Sequence, residues 1–100
     1  MWARVSTYQF RSEGIDDSIR QFTEALGNLK EPGLQRAELL MDRASGKALT
    51  VTVWESEEAL QASVDAANRI RSGAADAAGV SIVEVSHYEI FQADGGAIRV

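Results

Sequence analysis

Two alternating stretches face each other across a short turn. "LQRAELLMDR" (34–43) and "ALTVTVWE" (48–55) flank "ASGK" (44–47), in which Gly46 is free to take positive φ. A period of two on both sides of a turn specifies an antiparallel hairpin. The leucines of 34–43 would also suit a helix, but the run at 48–55 decides for strands. A lone hairpin is marginal in water, so its outer edges and at least one face must be covered by the rest of the chain.

The flanking segments supply that cover. "WARVSTYQF" (2–10) alternates, with Ala3, Val5 and Thr7 on one side and Trp2, Ser6, Tyr8 and Phe10 on the other. After Gly14 the period changes to that of a helix. Ile15, Ile19, Phe22, Leu26 and Leu29 share one face, Asp16 and Asp17 suit the first turn, and "KEPG" (30–33) ends the run. Beyond the hairpin, Ser56 is placed to cap a helix that begins with Glu57 and Glu58 and continues through Leu60, Val64 and Ala67. Gly73 is expected to interrupt it, leaving 74–79 as a short separate piece. "VSIVEVSHYEIFQ" (80–92) reads as one long final strand. The order is β-α-β-β-α-β, an α+β ferredoxin-like arrangement with an antiparallel sheet. It makes a single domain over 1–100, with its core at 2–92 and a tail at 93–100. Gly95–Gly96 loosens that tail, and Ile98 and Val100 offer apolar side chains for docking.

Two crossover helices cover only one face of such a sheet, yet both faces here are apolar or small. Leu49, Val51 and Val53 lie opposite Ala48, Thr50, Thr52 and Trp54. In the last strand Val83, Val85 and Phe91 alternate with Ile82, Tyr88 and Ile90. An uncovered apolar sheet face is an interaction surface, and a second copy stacked through its own sheet is the expected occupant. The formal charge of −5 and scattered basic residues argue against nucleic acid. No apolar run is long enough for a membrane helix. With no cysteine and one histidine, disulfides, thiol nucleophiles and histidine-cluster metal sites are excluded. A cytoplasmic location is expected.

The strand-to-helix junction "VTVWESEEAL" (51–60) resembles that of the antibiotic biosynthesis monooxygenase family, as do "EPGLQRAELL" (31–40) and "SHYEIF" (86–91). The likeness runs over about residues 3–92. It implies a dimeric α+β barrel built from ferredoxin-like units. It also implies cofactor-independent oxygenation of a small aromatic or polyketide-like substrate, with no resident cofactor or metal. In that family the junction tryptophan lines a pocket, which implicates Trp54. Some members carry asparagine four residues earlier, where this chain has Thr50. Haem-degrading members use an asparagine on the first strand and a histidine on the second helix. Ser6 stands on this first strand and the second helix has no histidine, which points away from haem.

The candidate residues follow from chemistry at those positions. Trp54 is a catalytic-pocket wall, a corner anchor between sheet and helix, or both. His87 is the one side chain whose unperturbed pKa suits a general base near neutrality; otherwise it is a half-exposed residue on an outer strand. Which face His87 shares with Trp54 cannot be read from alternation. Arg4, Ser6 and Tyr8 share a strand face, where Arg4 and Tyr8 can hold a phenolate-like substrate. Their alternatives are a rim salt bridge for Arg4 and packing for Tyr8. Thr50 can give such a substrate one further hydrogen bond. The competing function is a non-catalytic dimeric barrel that binds a small apolar ligand or a partner.

Overall fold

β1 (Trp2–Gln9) lies inside the sheet of the computed structural model, which describes residues 1–92. It pairs antiparallel with β3 (Lys47–Trp54) on one side and with β4 (Ser81–Glu89) on the other; β2 (Leu34–Met41) pairs with β3 at the far edge. The order β2-β3-β1-β4 is that of the ferredoxin-like fold. The chain thus has the α+β architecture its alternation specifies. The tail carrying Gly95–Gly96, Ile98 and Val100 lies outside the described residues.

Cross-strand pairs fix which residues share a face, because directly opposed side chains in a ladder point the same way. Trp2 faces Trp54, Arg4 faces Thr52 and His87, Ser6 faces Thr50 and Val85, and Tyr8 faces Ala48 and Ile82. This set lies under α1 (Ile15–Gly27) and α3 (Val64–Ala78), which contribute Phe22 and Ala74 to one core cluster with Tyr8, Phe10 and Ala48. The aromatic rings of Tyr8 and Phe22 meet edge to face at 4.9 Å. A second cluster holds Trp54, Leu29 and Leu60 at the sheet–helix corner. On the opposite face Ala3 and Val53 are buried, Val5, Leu49 and Val51 are half-buried, and Leu40 and Tyr88 are exposed. Exposed Arg36 and Glu38 pair there at 2.7 Å. Among the described residues no helix is long and apolar enough to cross a membrane.

Three expectations are corrected. The second helical run breaks at Ser63 and continues through Gly73, giving α2 (Glu57–Ala62) and then α3. The break has a tertiary cause: the Leu60 carbonyl accepts from the Ser63 hydroxyl at 2.7 Å and from the Arg4 guanidinium at 3.1 Å. The regular ladder is diverted at that point. Gly73 meets no side chain where a Cβ would stand, and the left-handed residue that ends α3 is Gly79, φ +66°. The last strand is shorter than 80–92, ending at Glu89. It also carries a bulge opposite Thr7/Tyr8 that leaves Val83 without a partner in β1. One inserted residue reverses the parity beyond it. Ile82 therefore joins Val85 on the helix side, and Tyr88 lies on the opposite face.

Candidate functional site

The two core clusters do not meet. Between them runs a cleft, floored by Arg4, Ser6, Tyr8, Thr50 and Thr52 of the sheet and roofed by apolar side chains of α1 and α3, Leu26 and Ile70 among them, and by Leu29 just beyond the end of α1. The asymmetry follows from the sequence. Small or polar residues at every second position of β1 and β3 leave space that larger apolar side chains would fill. The space amounts to about 410 Å³ including its open mouth.

Arg4 is the unusual member of the floor. It is 4% exposed. Its Nη2 donates to the Leu60 carbonyl at 3.1 Å and to the Ser63 hydroxyl at 3.0 Å. Its Nε donates to His87 Nε2 at 3.3 Å. The guanidinium carbon stands 5.5 Å from the centre of the Trp54 ring, within cation–π range. Nη1 is buried without a hydrogen-bond partner, and no carboxylate pairs with Arg4 among the described residues. The rim salt bridge considered for Arg4 is thereby replaced by a buried cation held by neutral groups. Burial, and then the charge of Arg71, lower its pKa from the ordinary arginine value; an arginine so shifted is still charged near neutrality.

The remaining candidates divide into those at the cleft and those behind it. Tyr8 and Thr50 join their hydroxyls at 3.2 Å on the floor. Ser6 lies between them and Arg4 on β1. His87 is on the helix side, the same face as Trp54, but it is exposed and reaches the cleft only through Arg4. Its Nε2 accepts from Arg4, so the proton of the neutral ring sits on Nδ1. Partial burial, then the charges of Arg4 and Arg71, lower its pKa. Trp54 is 0% exposed and does not line the cleft. Its indole N–H donates to Thr52 at 2.9 Å, and its ring backs Arg4 and Thr52 from beneath. The corner-anchor description fits this position. Sequence alternation did not single out Arg71, a half-buried residue of α3 that also lines the cleft. Its place three residues before Ala74 on the sheet-facing side was the available signal.

A sequence profile of the antibiotic biosynthesis monooxygenase family matches residues 1–78. The chain belongs to that family. An uncharacterized protein of Mycobacterium tuberculosis H37Rv is 31% identical over an alignment covering 99% of this chain. The chain spans about half the length of that relative, 48%. Solved structures of the family's fold superpose over nearly the whole chain. A Deinococcus radiodurans protein bearing the same family name gives a TM-score of 0.71 at 16% identity, covering 100% of this chain and 98% of its own. SnoaB, a cofactor-independent oxygenase from Streptomyces nogalater, gives 0.65 at 14% identity, covering 94% and 96%. MhuD, a haem degrader from M. tuberculosis, gives 0.67 at 20% identity, covering 95% and 100%. Likeness at these identities establishes the shared fold.

The cleft does not fit haem. The sole imidazole, His87, is exposed and has its accepting nitrogen turned to Arg4, so no imidazole is free to hold the iron. Nor do three or more histidine, cysteine, aspartate or glutamate residues converge on one point among the described residues.

Proposed function

We propose that the cleft between the sheet and α1/α3 binds a small flat aromatic molecule and that the protein oxygenates it without a cofactor. The observation that carries this reading is the convergence of Arg4, Ser6, Tyr8 and Thr50 on one polar floor beneath an apolar roof. The roof supplies hydrophobic affinity and excludes water; the floor orients an oxygen of the ligand. In the reaction a phenolic substrate loses its proton and the electron-rich ring carbon bonds to dioxygen. Loss of water from the resulting hydroperoxide leaves a quinone, so one oxygen atom enters the product and the other leaves as water. The protein's part is to hold the anion and stabilise charge on oxygen.

Arg4 is the residue best placed for that part, with Tyr8 and Thr50 as hydrogen-bond partners. His87 as general base requires Nε2 to leave Arg4. In the arrangement described it acts on Arg4's orientation, and Trp54 acts from behind the guanidinium. The second reading, a non-catalytic binding module, is favoured by the same engaged Nε2. Oxygen uptake decides between them. A hydroxynaphthalene and a tricyclic anthrone, each with a metal chelator present, should consume dioxygen in proportion to protein and yield the quinone. Saturable binding of both compounds with no uptake above the protein-free rate would leave the binding module.

The apolar face opposite the helices supports a homodimer stacked through its sheets. Light scattering at micromolar concentration should report about twice the 10.9 kDa chain mass, and Val51→Asp should halve it. A monomeric wild type would refute this assembly.

A further inference from the structure

We propose that the contact between Arg4 and His87 is a pH-sensitive clasp that holds the α2–α3 corner against the sheet, and that protonation of His87 opens it. The clasp goes beyond oxygenation or binding, and it would regulate the cleft whichever of the two occurs there. α2 is a short element with little to hold it. It has six residues, of which Leu60 alone is buried. On its outer side lies a hollow of about 550 Å³ including its open mouth, bounded by Glu58, Ala59 and Ala62 and by Glu31 and Pro32 of the loop before β2. Ser63 ends α2 and starts α3, so the corner is a ready hinge. Beside the packing of Leu60, the tie from this hinge to the sheet is Arg4, whose Nη2 donates to the Leu60 carbonyl and the Ser63 hydroxyl.

His87 completes the tie from the other side. Its Nε2 accepts from Arg4 Nε at 3.3 Å, which only the neutral ring can do. A proton on Nε2 removes that lone pair and sets a second cation against the first. The groups facing His87 add to the conflict. β1 contributes Arg4, its sole charged residue, and α3 contributes Arg71, whose charge acts on both Arg4 and His87. On β4, Glu89 follows two positions later on the same face, opposite Trp2. Glu84 lies on the other face, where it accepts from the Ser86 hydroxyl.

A charged His87, already exposed, turns to water. Arg4 Nε then joins Nη1 as a donor without a partner. Two unpartnered nitrogens on one buried guanidinium are costly, and the hinge at Ser63 offers relief. α2 lifts toward the hollow and water reaches the guanidinium. The clasp is closed above about pH 6.5, where the ring is neutral. It opens as pH falls through the lowered value of the folded chain. One proton is taken up, so the opening equilibrium rises at most about tenfold per pH unit. Arg4 belongs to the cleft floor, so the closed clasp fixes that floor and the open one releases it.

The experiment is amide hydrogen exchange on the intact chain without ligand, at pH 7.5 and 5.5. Rates are expressed as protection factors, which removes the intrinsic pH dependence of exchange. The readout is the Ser63 and Ala67 amides, which donate to the Leu60 and Ser63 carbonyls. Their protection should fall about fivefold to tenfold at the lower pH, while that of amides in the middle of α1 is unchanged. His87→Gln keeps a neutral acceptor and should hold the corner protected at both pH values. His87→Lys places a fixed charge at this exposed position and should leave the corner weakly protected at both. Arg4→Met should remove the pH response. Constant protection of the corner in the wild type would overturn the clasp, as would an equal fall in α1 or a response undiminished in His87→Gln. A flat exchange profile with oxygen uptake removes the clasp and leaves the oxygenase. A pH-dependent corner with neither uptake nor ligand binding does the reverse.

Discussion

Replacing Trp54 with alanine tests whether the indole is a complete corner anchor. The side chain is 0% exposed and packs on Leu29 and Leu60, with Trp2, Leu34, Ala59 and Ile70 around them. An indole buries ~200 Å², which at ~25 cal/mol per Å² corresponds to ~5 kcal/mol. Alanine retains a small share, while the cavity left behind adds a penalty, so large-to-small changes of this kind cost ~3–5 kcal/mol. Arg4 would also lose the ring beneath its guanidinium, a contact worth ~1–2 kcal/mol when desolvated. The expected loss therefore lies in the upper part of that range, about 4–5 kcal/mol. For a domain whose whole stability is ~5–15 kcal/mol, the variant would be marginal. Urea unfolding followed by far-ultraviolet circular dichroism measures the loss without relying on tryptophan emission, half of whose sources the substitution removes. A loss below ~2 kcal/mol at an unchanged m-value would refute the reasoning. It would mean that one face of the ring borders open space in solution.

Ser56→Ala should cost ~1 kcal/mol in the same assay, because the Ser56 hydroxyl caps α2 by accepting from the Ala59 N–H at 3.1 Å. Gly46→Ala should lower stability by ~1–3 kcal/mol: Gly46 holds φ +78° and its added Cβ would collide with the Phe10 carbonyl oxygen. His87 has a lowered pKa in the folded chain, so the unfolded chain binds the proton more tightly. Its contribution to stability is full above about pH 6.5, the unperturbed value, and is lost as pH falls through that value toward the lowered one. The side chain is exposed, so the change is small and is read as a difference in slope between wild type and His87→Gln; identical slopes from pH 5 to 7 would contradict it.

Strand order, faces and most of the cleft floor were legible because alternation is a local property. Arg4, Ser6 and Tyr8 occupy every second position of β1, and Thr50 and Thr52 do the same on β3. A ladder with no irregularity between these two strands carries that parity into space. Parity failed on β4, where a bulge opposite Tyr8 depends on pairing rather than on the residues of β4 alone. The helix break was also hidden. Gly73 looks like a breaker in isolation, while Ser63 acts as one because Arg4, 59 positions away, bonds its hydroxyl and the Leu60 carbonyl. The burial of Arg4 was illegible for a related reason. A charged residue near the start of a strand reads as a rim residue until the corner of α2 and α3 closes over it.

That closed-over guanidinium makes Arg4 a point of local frustration in an otherwise consistent core. Its neighbours satisfy its shape and some of its donors, but none among the described residues neutralises it. Folding sequences ordinarily avoid such conflicts, and those they retain concentrate where a chain does work. An apolar residue of similar reach, such as methionine, would remove the conflict, and replacing a poorly compensated buried charge in this way is often neutral or stabilising. Arg4→Met is thus the substitution in which robustness and ligand recognition should separate: the chain melts no lower, or higher, and the cleft becomes indifferent to the charge of what enters it.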